Sequence, residues 1–171
     1  MDRRLTGHLL TYGLIGGVVA GIIFILFEMT LAAVMGVGFL APLVLISSIV
    51  LGTGALDPTF PMATAVITGG IVHLVLSAIF GVVFLYLVAW ARQLCTSTGL
   101  MLLYGSLFGL ALWVVNFLVL GSIFWPQFLT VNQFWFGFVA HTFFYGTVIG
   151  AYVASAWPSR RGIITEGVQP C

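Results

Sequence analysis

The sequence predicts an all-α integral membrane protein, a bundle of four transmembrane helices. Three observations predict it. Hydrophobic residues make up 61% of the 171 positions. Charged residues make up only 5%, against about 25% in ordinary soluble domains, which is too few to cover a surface facing water. And four stretches reach the roughly 20 consecutive apolar residues needed to cross a hydrocarbon core. Four such segments cannot close a barrel, so helix is the only way to satisfy their backbone groups in lipid.

The first span covers Leu9 to Val34. Asp2-Arg3-Arg4 ahead of it resembles the basic start of a signal peptide. The apolar run from Leu9 to Phe27 exceeds the usual 7–15 residues of such a peptide, about one span long, and Leu31-Ala32-Ala33 is a poor cleavage site. The segment reads as a retained span. Next, Phe39 to Leu51 is apolar but short, contains Pro42 and is followed by Gly52 and Gly54. This predicts a re-entrant or interfacial segment. The second span covers Met62 to Trp90, the third Gly99 to Phe124 and the fourth Gln133 to Trp157. The chain is expected to form a single transmembrane domain over 1–171, with 158–171 a flexible cytoplasmic tail.

Four crossings put Arg3, Arg4, Arg92, Arg160 and Arg161 on one side and Asp57 on the other. Positive charge stays on the cytoplasmic side. Both termini are therefore expected in the cytoplasm, in the cytoplasmic (inner) membrane. A fifth crossing would move Arg92 outside. Trp90, Trp125, Trp135 and Trp157 fall near the boundaries, where an apolar ring with one polar N–H is favoured.

The formal net charge of +1, the scarcity of arginine and the absence of lysine give no support to a nucleic-acid partner, and none is expected. Cys95 and Cys171 have no CxxC or metal-ligand spacing. No GxSxG, HExxH, phosphate loop or GxGxxG occurs. No catalytic residue is expected, and the chain reads as a non-enzyme.

The spans resemble each other in pairs. Gly17 and Gly21 precede Glu28 as Gly105 and Gly109 precede Asn116, at steps of four and seven residues that return to one helix face. Gly13 extends the first track. His73 and His141 each stand nineteen residues before an arginine, with Gly69 and Gly137 four residues earlier and Ser77 and Tyr145 four later. Gly81 extends the His73 stripe and has no counterpart in the fourth span. Two parallel two-helix repeats are expected, the first carrying about 20 extra residues. Glycine tracks let helix backbones approach closely where apolar burial gives no drive. The stripes bearing Glu28, His73, His141 and Asn116 are therefore expected to face the bundle interior.

At about 1.5 Å per residue both histidines lie roughly 28 Å from the cytoplasmic arginines, with Glu28 and Asn116 within a turn or two. Glu28 is the one acidic residue inside a span. It is expected to bond His73, His141 or Asn116, because an unpaired carboxylate is costly there. Three uses of the cluster Glu28, His73, His141, Asn116, Ser77 and Tyr145 follow. The imidazoles could fix helix packing. His73 and His141 could ligate haem b from two helices. Glu28, His73 and His141 could hold a metal ion or relay protons. The leading expectation is a helical-bundle subunit or scaffold associating in the bilayer with other membrane proteins or with itself. The alternatives are the cofactor or proton site, and a small-solute transporter or channel.

Overall fold

The computed structural model describes residues 3–90, 97–129 and 133–156, with backbone only at 3–6, 8 and 133. Arg92, Cys95, Trp157, Arg160, Arg161, Cys171 and the 158–171 tail lie outside the described residues, as do the side chains of Arg3 and Arg4.

The described residues are helical and contain no strand. The protein is an all-α bundle with four helices long and apolar enough to cross a membrane: Leu9–Val34, Met62–Trp90, Thr98–Phe124 and Phe134–Ala156. The first lies within α1 (Arg3–Val34) and the second is α3 (Met62–Trp90). The third is built from α4 (Thr98–Trp113), a wide π turn over Val114–Gly121 and α5 (Ser122–Phe124). The fourth is built from α6 (Gln133–Val139), a π turn over Ala140–Thr147 and α7 (Val148–Ala156). Neighbouring spans run antiparallel. We call the end holding the start of α1 basal, and the end where α1 leads toward α3 distal.

Two rows of residues show how α3 divides core from lipid. Gly69, His73, Ser77, Gly81 and Leu85 step by four and are buried. Ile67, Ile71, Val75, Ile79, Val83 and Leu87 also step by four and are exposed. The rows lie about 200° apart, on opposite faces, because each residue advances the helix by about 100°. Bulky branched chains point outward, and small or polar ones pack inward.

The segment between the first two spans forms α2 (Ala41–Leu51). Its 11 residues make a rod of about 16 Å, about half the hydrocarbon thickness. Pro42 sits at the helix start, where its missing N–H costs nothing. Gly52, at φ 76°, ends it. α2 packs on α3 with the Leu43 carbonyl against Gly69. Ser47 and Ser48 are buried and return their hydroxyls to Val44 O at 2.7 Å and Leu45 O at 2.6 Å. Gln127, from the connection between spans three and four, donates to Ser48 Oγ at 3.0 Å. α2 thus lies against the distal half of the bundle as a fifth, non-spanning helix.

Candidate functional site

The glycine stripe of α1 meets α3 at backbone distance. A Cβ on Gly17 would collide with the Ser77 carbonyl and come within 3.0 Å of Gly81 Cα. A Cβ on Gly13 would lie 2.7 Å from Val82 Cα. Gly21 abuts the Ser77 side chain. Only glycine allows this approach, which brings His73 within reach of α1. His73 Nε2 donates to the Gly21 carbonyl at 2.8 Å, with Ser77 Oγ 3.5 Å from the same nitrogen.

Spans three and four build the same kind of contact with different residues. Gly105 abuts the Gly146 carbonyl, and its Cβ would stand 2.9 Å from Gly150 Cα. Gly109 abuts the His141 carbonyl, with Gly146 Cα 3.0 Å from its would-be Cβ. Gly146 and Gly150 therefore take the places that Ser77 and Gly81 hold in α3. Sequence spacing matches Ser77 with Tyr145 and finds no counterpart for Gly81. The structure corrects both points. The π turn over Ala140–Thr147 adds one residue beyond His141, so every later position arrives on its face one residue late. Tyr145 is displaced toward the other pair of helices, and its hydroxyl donates to the Ser77 carbonyl at 2.6 Å.

His141 Nδ1 donates to the Gly137 carbonyl in its own helix at 2.8 Å. Each imidazole therefore commits one nitrogen to a backbone carbonyl, leaving His73 Nδ1 and His141 Nε2 as acceptors. The side chain touching both rings is Phe24, with centroids 5.2 Å from His73 and 4.8 Å from His141. Phe117 closes on His141 at 5.6 Å, edge-on, and fills the space left by Gly137. The two histidines do meet one neighbour, and that neighbour is a phenyl ring.

Glu28 lies elsewhere. It stands seven residues beyond Gly21 on the same stripe, about 10 Å further toward the distal end. That separation puts it two turns past the His73–Gly21 bond. It is partly buried and, among the described residues, has no hydrogen bond or ion pair, with His73, His141 or Asn116 or with any other group. Among the described residues no three His, Cys, Asp or Glu side chains are grouped to hold a metal ion, so Glu28, His73 and His141 do not form a ligand set. Asn116 is partly exposed within the π turn of span three.

Sequence reasoning also passed over the bonds that tie spans three and four. Ser106 Oγ and Thr147 Oγ1 lie 2.7 Å apart, and Trp113 Nε1 donates to the Phe134 carbonyl at 3.1 Å. Thr147 also reaches Thr142 O, five residues back, at 3.3 Å. Buried Thr142 Oγ1 has no partner among the described residues. A threonine in a regular helix can return its hydroxyl to the carbonyl four residues back; Thr142, inside the widened turn, does not. Ser106 and Thr147 are legible as hydroxyls in apolar runs, but nothing in their spacing pairs them.

Comparison with family models, with curated proteins and with solved structures found no match.

Proposed function

We propose that the chain is a non-enzymatic helical-bundle subunit or scaffold, associating in the cytoplasmic membrane with other membrane proteins or with further copies of itself. The observation that carries this reading is the use made of the imidazoles. His73 reaches across to the Gly21 carbonyl, His141 returns to Gly137, and both pack on Phe24. The polar groups at the centre of the bundle act as interhelical and intrahelical bonds, which is the ordinary use of such groups in lipid. The outward rows of the spans, such as Ile67 to Leu87, offer lateral faces for such association.

Blue-native electrophoresis after gentle solubilisation tests the assignment. Migration in a larger assembly is expected. A monomer with no co-purifying protein at every detergent strength counts against it. Orientation belongs to the same proposal, with both termini and the linker near Arg92 cytoplasmic and Asp57 outside. An Asp57→Cys variant is expected to react with an impermeant thiol reagent only from the outside. Reaction only from the cytoplasmic side overturns the orientation.

A further inference from the structure

We infer that Glu28 is a proton-binding site inside the bilayer, open to the aqueous phase at the distal end of the bundle and closed toward the basal end. Four features of the structure lead there, independently of whether the chain is a subunit. Glu28 is the one carboxyl within a span, and it has no donor among the described residues to stabilise a negative charge. An ionised carboxylate without donors is costly in hydrocarbon, whereas the neutral acid is tolerated.

Glu28 also stands near the distal end of its helix. It is six residues short of the end of α1 at Val34, about 9 Å along the axis. Exposure rises along that stretch. Leu31 and Ala32 are half-buried, and everything from Ala33 to Phe39 is exposed. The connection to α2 carries two left-handed glycines, Gly36 and Gly38, at φ 74° and 114°. Glu28 as a residue is half-buried.

In the other direction the stripe is filled. One turn below Glu28, buried Phe24 packs on both imidazoles. Below that, His73 is bonded to Gly21, and the Gly17 and Gly81 backbones touch. A proton arriving from distal water and returning to it meets no continuing path. The step is simple acid dissociation: hydronium gives its proton to the carboxylate oxygen and becomes water, and no electron moves.

The neighbouring titratable groups are few. α3 presents His73, bonded to Gly21. Span four presents His141, bonded to Gly137, and Tyr145, bonded to Ser77. α2 presents none. Tyr12 of α1 and Tyr152 of α7 lie toward the basal end. Asp57, in the distal connection, is exposed and bonded to Thr59. None of these is bonded to Glu28.

The test uses dicyclohexylcarbodiimide, an apolar reagent that adds to protonated carboxyls within lipid, on the full chain in lipid nanodiscs. Peptide mass mapping is expected to find one adduct, at Glu28, whose formation is lost as pH is raised and which is absent in Glu28→Gln. A water-soluble carbodiimide is expected to modify Asp57 more fully than Glu28. Three results overturn the proposal. Glu28 left unlabelled at every pH makes the carboxyl sealed. Equal labelling by the water-soluble reagent makes it an ordinary surface group. Protection by sodium ions makes it a cation site. Helical circular dichroism of the Glu28→Gln variant, expected to be unchanged, separates loss of the site from loss of the fold.

Discussion

The two helix pairs solve one packing problem in two ways. In the first, α1 and α3 are regular helices, and Gly13, Gly17 and Gly21 meet Ser77 and Gly81 at unbroken intervals of four. In the second, Gly105 and Gly109 meet Gly146 and Gly150 across a partner helix widened by a π turn. The first seam adds an imidazole bond across the helices, and the second adds a pair of hydroxyls, Ser106 with Thr147. Only the first pair carries a short helix against its distal half. The lesson is that a close helix contact depends on which residues face the neighbour. Spacing along the chain reports those residues only while the helix stays regular.

Steric substitution should break the comparison most severely. Gly81→Val in the first seam and Gly150→Val in the second place a side chain against a facing backbone. Each is expected to cost about 1–3 kcal/mol or more by overpacking, read as a fall in thermal unfolding temperature in detergent. Gly70→Val in α3, where an added Cβ meets nothing within 4 Å, is expected to be close to neutral. A tolerated Gly150→Val would mean that the second seam is looser than the first.

One-residue deletions sharpen the role of the π turn. Removing Thr142 would let span four continue as regular α-helix from His141 with Gly146 and Gly150 still on the same face. Such a chain is expected to fold, with stability within about 1 kcal/mol of the parent, since one unpartnered buried hydroxyl leaves with it. Removing Ala78 from regular α3 would rotate Gly81 about 100° off its face and is expected to abolish a stable bundle. Size-exclusion profiles of the two variants would separate them, and similar behaviour would refute the one-residue offset.

Tyr145→Phe should act more gently. It removes the hydroxyl bond to the Ser77 carbonyl that joins the two pairs. Interhelical bonds in membranes average about 0.6 kcal/mol and reach about 1.7, so a loss of about 1 kcal/mol is expected in equilibrium unfolding. Ser106→Ala, which cuts a bond within the second pair, should cost no more.

The smallest effect is electrostatic. Asp57 accepts from the Thr59 hydroxyl at 2.6 Å and from the Thr59 amide at 2.7 Å. These bonds hold its carboxyl below the ordinary value of 3.8. A lowered folded-state value stabilises the turn above that ordinary value, and the contribution is lost as pH falls through the folded value. Amide exchange at Thr59 should therefore be insensitive to protonation of Asp57 near neutrality and change only in strong acid. Asp57→Asn should remove the change.

Much of the architecture could be read without coordinates. The four spans follow from apolar run length, because the bilayer sets a thickness that a helix must match residue by residue. Pro42 and the two glycines after Leu51 mark α2 as too short and too interrupted to cross. The glycine stripe of α1 was legible because α1 and α3 are regular, so intervals of four translate into one face. Tertiary structure decided the rest. The π turn shifts span four by one residue, and no local signal in Ala140–Thr147 announces the shift. The partner of each imidazole is a backbone carbonyl, and every residue has one of those, so sequence could offer only side chains as candidates. Glu28 and His73 share a helix–helix seam, yet the antiparallel register of α1 on α3 separates them by two turns. That register is set where Gly17 meets Gly81, a contact between residues 64 positions apart, and hydropathy along the chain does not encode it.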